Sequence, residues 1–138
     1  MLDPDTRFGA RATRRLHEDK LAWLVTVTPG GAPQPVPVWF LWDGGESILL
    51  YSRPGKPKLR NLEHNPKVSL HLDGDGQGGD VVVCVGEAGV SSDPPADQVP
   101  DYVAKYTWGF DPNSWSAEEF AADYSVPIRI TLRRIRGH

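Results

Sequence analysis

The chain has 138 residues and a single cysteine, Cys84. An internal disulfide is therefore excluded, and the cytoplasm is the expected compartment. Long apolar runs are missing as well. A run such as 81–85 (VVVCV) falls far short of the roughly 20 apolar residues a membrane-spanning helix needs. The first ten residues, MLDPDTRFGA, carry acids where a secretory signal has cations and an apolar centre, so export is not expected. The four histidines, His17, His64, His71 and His138, show neither ligand spacing nor a companion cysteine, and no metal site is expected. No nucleophile–base pair stands out. A net charge of −3 argues against a general nucleic-acid binder, though not against a local anion site.

What the chain does have is turn residues and short extended runs. Residues 5–20 read as a helix with sparse apolar positions at Phe8, Ala12 and Leu16; Arg7, Arg11, Arg14 and Arg15 read as its solvated face. Residues 21–28 (LAWLVTVT) form a strand with Leu21, Trp23, Val25 and Val27 on one face, and Pro29-Gly30-Gly31 turns it. Residues 32–42 (APQPVPVWFLW) are extended again. Pro33, Pro35 and Pro37 lack ladder donors and place this strand at a sheet edge, free to meet a ligand or a second subunit; Val36, Val38, Phe40 and Trp42 face a core. Strands follow at 47–53, 67–72, 81–87 and 126–136, and short helices at 96–105 and 117–124. Between those helices, residues 106–115 (YTWGFDPNSW) are dense in aromatics. Trp108, Phe110 and Trp115 either pack on the core or close over a flat substrate. The whole is one domain, mainly β with peripheral helices: about six antiparallel strands in a small, closed or half-closed barrel.

Two glycine- and acid-rich signals fall to simpler readings. Gly74, Gly76 and Gly78 sit between antiparallel strands and open no helix, so they do not make a dinucleotide loop. Asp73 and Asp75 start like a calcium loop, but Cys84 stands where its bidentate glutamate is needed. His71 points outward from its strand, and Cys84 is a core residue.

Residues 51–66 (YSRPGKPKLRNLEHNP) hold Arg53, Lys56, Lys58 and Arg60, with no acid between Glu46 and Glu63. Pro54-Gly55 makes a turn. Pro57 suits the first position of a helix, Leu59 and Leu62 give it a buried face, and Asn65-Pro66 stops it. The N–H groups of Lys58, Leu59 and Arg60 then stand at the helix start among cations, a phosphate seat in outline. A solvated basic loop explains the stretch equally well.

The run PVPVWFLWDGGESILLYSRPGKPKLRNLEHNPKVSLHLDGDG resembles the flavin/deazaflavin oxidoreductase superfamily. Its fold is the split β-barrel of pyridoxamine 5′-phosphate oxidase. More narrowly, the run resembles the actinobacterial branch that uses the deazaflavin coenzyme F420. The resemblance implies a homodimer with cofactor sites at the subunit interface. It implies that Tyr51, Ser52, Arg53, Lys56, Lys58, Arg60 and Asn61 hold the cofactor phosphate, and that Pro37, Val38 and Trp39 lie beside the ring. The C-terminal motif that grips pyridoxal in the true oxidases is not seen before His138, so vitamin B6 oxidation is not expected.

The expected activity is hydride transfer from reduced F420 to an electron-poor, conjugated small molecule: a quinone, an enone, a tetrapyrrole or a xenobiotic. The missing nucleophile–base pair fits, because such a cofactor carries the chemistry itself. The rivals are an FMN-dependent enzyme of the same fold, a non-catalytic cofactor carrier, and an oligonucleotide-binding barrel.

Overall fold

The computed structural model describes residues 1–111, 113 and 115–138. Among these, four α-helices and seven strands form: α1 (Arg7–Glu18), β1 (Ala22–Val27), β2 (Pro33–Val38), β3 (Leu41–Trp42), β4 (Ser47–Ser52), α2 (Pro57–His64), β5 (Lys67–His71), β6 (Val82–Val90), α3 (Pro100–Tyr106), α4 (Ala117–Asp123) and β7 (Val126–Gly137). The strands make one antiparallel sheet in the order β2-β1-β5-β6-β7-β4-β3, curled into a half-barrel. This is the fold class the turn and strand pattern predicts.

There are seven strands because residues 32–42 are not one strand. The proline-bearing part, β2, does lie at a sheet edge, paired to β1 alone. At Phe40 the chain leaves the ladder. The Phe40 N–H donates to the Tyr106 hydroxyl at 2.7 Å, and its carbonyl accepts from Lys105 Nζ at 2.7 Å. Side chains of α3 thus satisfy backbone groups that a neighbouring strand would otherwise pair. The chain then re-enters the sheet as β3, at the opposite edge.

Two clusters of buried side chains result. The first fills the barrel with Leu24, Val38, Phe40, Ile48, Leu50, Leu70, Val82, Cys84, Ile128, Ile130 and Leu132, closed on one side by Ala12 and Leu16 of α1. Alternation along each strand selects these positions: Val68 and Leu70 are buried on β5, while Ser69 and His71 are partly exposed. The second cluster lies behind β4. Leu49 and Tyr51 point away from the barrel and pack with Tyr102, Tyr106, Phe120 and Trp39. On β1 the inner face is Ala22, Leu24 and Thr26, so Trp23, Val25 and Val27 form a half-buried outer face.

Two of the four α1 arginines, Arg11 and Arg15, depart from the solvated reading. Arg11 pairs with Asp80 at 2.8 Å. Arg15 pairs with Asp19 and with Asp80. These contacts fasten the helix to the loop between β5 and β6. Arg7 and Arg14 are exposed.

The long β6–β7 pairing shifts register between Val85 and Gly86. A side chain at Gly86 would strike the Thr131 carbonyl, so the bulge needs glycine. No helix among the described residues is long and apolar enough to cross a membrane.

Candidate functional site

The basic stretch folds as its punctuation predicts. β4 ends at Ser52, Gly55 turns the chain with φ +74°, and Pro57 opens α2 after Lys56 as N-cap. Leu62 is buried and Leu59 packs beneath. The C-cap Asn65 N–H donates to the Asn61 carbonyl. One detail differs: the Leu59 N–H donates to the Lys56 carbonyl at 3.0 Å, so it is not free at the helix start.

Two clefts flank this helix start. The first, of about 250 Å³, is lined by Leu21, Pro37, Val38, Trp39, Tyr51, Lys58, Tyr102, Trp115, Phe120 and Tyr124. The second, of about 350 Å³, runs along the β2 edge past Thr26, Pro33, Gln34, Pro35 and Val36 to Lys56, Pro57 and Lys58. Lys58 lines both. Among the described residues no carboxylate lines either cleft, in a protein whose net charge is −3.

Lys58 is the pivot. Burial, reinforced by Lys56, lowers its pKa from the ordinary lysine value. Among the described residues it has no ion pair. A half-buried ammonium without a counter-ion is unfavourable as it stands, and an anion arriving beside it relieves that cost.

The sequence-derived site residues divide cleanly. Pro37, Val38, Trp39, Tyr51, Lys58 and Trp115 come together in the first cleft; Lys56 joins Lys58 in the second. Ser52, Arg53, Arg60, Asn61, Trp108 and Phe110 line neither. Ser52 is buried and donates to the Arg53 carbonyl at 2.8 Å. The Arg53 guanidinium pairs with Asp123 at 2.8 Å and lies 4.9 Å from the Tyr124 ring. Arg60 is exposed. Asn61 is buried, and its Nδ2 donates to Thr26 Oγ1 at 2.9 Å and Gln34 Oε1 at 2.8 Å. Its amide holds α2 against β1 and β2.

The aromatic loop mostly packs. Trp39 stacks on Tyr106 at 4.3 Å and on Phe120 at 5.3 Å, and Phe110, Trp108 and Trp115 surround it at about 6 Å. A Cβ at Gly109 would come within 2.9 Å of Trp39, so the loop sits directly on that ring. Trp108 stays 64 % exposed. Residues 112 and 114 of this loop lie outside the described residues.

Sequence reasoning missed Leu21, Tyr102, Phe120 and Tyr124 as cleft walls. A signal was present: Tyr102 and Tyr106 are four apart on α3, and Tyr124 caps α4 four residues after Phe120, the spacing that sets two rings on one helical face.

A half-barrel whose open edge meets a cation-bearing helix start, with an aromatic layer behind, is a split β-barrel of the pyridoxamine 5′-phosphate oxidase type. The comparisons agree. The family model described as pyridoxamine 5′-phosphate oxidase matches residues 9–138, and the chain belongs to that family, within the flavin/deazaflavin oxidoreductase superfamily. No protein among those curated for function matches the sequence. Solved structures share the fold. An F420 reductase is 23 % identical, with 89 % of this chain and 94 % of that chain covered and a TM-score of 0.69. A conserved hypothetical protein from Mycobacterium tuberculosis is 24 % identical over 92 % of this chain and 81 % of that one, TM-score 0.66. The haem storage protein of Vibrio cholerae is 16 % identical over 96 % and 95 %, TM-score 0.68.

Proposed function

We propose that the protein is a cytoplasmic, homodimeric F420-dependent reductase whose acceptor is an electron-poor, conjugated small molecule. One observation carries this reading: Lys58, half-buried and without an ion pair among the described residues, joins an aromatic-walled cleft to a second cleft that carries another cation, Lys56. That pairing suits a ligand with a flat ring at one end and a phosphate further along. When bound, the deazaflavin supplies hydride, and the protein supplies binding, orientation and electrostatics.

In this assignment Pro37, Val38 and Trp39 shape the ring cleft. Lys56 and Lys58 face the phosphate, Arg60 adds positive potential from the exposed side of α2, and Tyr51, Ser52, Arg53 and Asn61 fix the strand end and helix on which those lysines stand. Trp115, with Trp108 and Phe110 behind it, bounds the acceptor side. The likeness to an F420 reductase supports the deazaflavin. FMN is the alternative for the same clefts. A haem, which the Vibrio cholerae relative's name suggests, would depend on the tyrosines of the first cleft for an axial ligand, since among the described residues no histidine, cysteine or methionine lines either cleft.

A second copy of the chain is the proposed cover for the outer sheet face. There Val25, Val27 and Val85 line a shallow apolar hollow of about 400 Å³, beside the β2 edge. Sedimentation at low micromolar concentration is expected to show a dimer; a monomer that still binds cofactor tightly would remove this part.

The central test is titration of F420 and of FMN into the apoprotein, read by cofactor and tryptophan fluorescence. F420 is expected to bind, with modest loss in moderate salt, and a random oligonucleotide is not. Binding of FMN alone selects the alternative. Binding of neither ends the reading. Reduced F420 is expected to be oxidised faster by added quinone or enone when bound than when free; equal rates across a broad acceptor panel favour a carrier.

A further inference from the structure

Three buried tyrosines line the space behind β4, and two have partnered hydroxyls. Tyr51 donates to the Pro94 carbonyl at 2.6 Å. The Tyr106 hydroxyl accepts from the Phe40 N–H at 2.7 Å and reaches the carbonyls of Lys20 and Phe40 at 2.9 and 3.0 Å. Tyr102 is different. It is 0 % exposed, and its hydroxyl has no hydrogen-bond partner among the described residues. Its ring is well held, edge-on to Tyr51 at 5.2 Å and stacked with Phe120 at 5.9 Å. Packing alone would be served as well by phenylalanine. A buried hydroxyl left unpaired destabilises the protein that carries it. Tyr102 is also among the residues that line the first cleft, so a ligand filling that cleft lies beside this side chain.

We propose that Tyr102 is a ligand-binding residue, donating its O–H to a carbonyl oxygen or ring nitrogen of the planar heteroaromatic ring held in the first cleft. This rests on the reading that the cleft receives the cofactor ring. Burial holds the Tyr102 phenol far above the ordinary tyrosine range. It therefore keeps its proton, and acts as a donor rather than as an acid that gives the proton away. The site thereby favours ring systems that present an acceptor atom at that wall and rejects flat hydrocarbons of equal size, because the latter leave the hydroxyl unpaired.

The test compares Tyr102→Phe with Tyr106→Phe in the full-length apoprotein, each followed by thermal unfolding and by F420 and FMN titration. Tyr102→Phe is expected to keep or raise the melting temperature while weakening cofactor binding about three- to tenfold. Tyr106→Phe, which removes a partnered hydroxyl that does not line the cleft, is expected to lower the melting temperature and leave affinity unchanged. Unchanged affinity in Tyr102→Phe overturns the inference. So does a lower melting temperature for that variant, which would show that the hydroxyl is already partnered in the apoprotein. A wild-type protein that binds neither cofactor overturns the functional reading itself, a separate failure from either of these.

Discussion

β4 separates two interiors of opposite character. On its barrel side Ile48 and Leu50 meet aliphatic neighbours, sealed at 0 % exposure. On its other side Leu49 and Tyr51 meet a layer of tyrosines, tryptophan and phenylalanine that opens into the first cleft. The barrel interior contributes apolar burial and little else. The aromatic layer combines burial with hydroxyls and ring faces, each needing a partner of defined geometry. Stability is therefore concentrated on one side of this strand, and on the proposed reading recognition lies on the other.

The largest effect that would break this contrast is in the barrel. Leu50→Ala is expected to cost about 2–5 kcal/mol, the range for buried leucines, read from urea unfolding. A cost below about 1 kcal/mol would mean the barrel does not carry the stability assigned to it. Next comes the cleft. Lys58→Ala and Lys56→Ala are expected each to weaken F420 binding about ten- to hundredfold, as for a charge-assisted hydrogen bond, with no loss of melting temperature. Equal affinity in both variants would place the phosphate elsewhere.

A smaller effect tests the aromatic side through pH. Lys105 donates to the Phe40 carbonyl and lies 3.7 Å from the Phe40 ring centroid. It borders a hollow that also contains His17, Asp43 and Asp101. Burial first, then Lys20, lowers its pKa to about 7, with Asp19 opposing. The folded state thus releases a proton that the unfolded chain keeps up to the ordinary value of 10.5, and stability rises with pH from about 7. Cys84, which burial pushes from 9.0 up to about 12, acts in the opposite sense above about pH 9. Urea midpoints between pH 7 and 9 are expected to climb in the wild type and to climb less steeply in Lys105→Met, where Lys58, also lowered by burial, leaves a residual rise. A parallel climb in the variant would assign the effect to other groups. The smallest effect is at Trp108, 64 % exposed. Trp108→Ala is expected to change stability by no more than about 0.5 kcal/mol, as at exposed surface positions; a loss above 1 kcal/mol would make this ring part of the packed layer.

The same contrast decides what was legible in the sequence. Barrel positions follow a period of two, so Val68, Leu70, Ile128, Ile130 and Leu132 were readable, as were the proline-marked edge and the limits of α2. The aromatic side depends on partners far along the chain. Phe40 ends its strand because of Tyr106, 66 residues away, and Arg53 meets Asp123, 70 residues away. Nothing near Phe40 or Arg53 announces these partners. β1 was ambiguous for another reason: both of its faces are apolar, so periodicity gives two faces without saying which is inner. Arg11 and Arg15 looked solvated because Asp80 lies across a glycine-rich loop.

Asn61 has a mechanical consequence. Its two amide bonds, to Thr26 and Gln34, bolt the helix carrying Lys58 to the strands forming the opposite wall of the second cleft. The jaws cannot spread without breaking these hydrogen bonds, of which the one to Thr26 is buried. On the proposed reading, a gap built this way works as a caliper: it would sort ligands by the span between ring and anion.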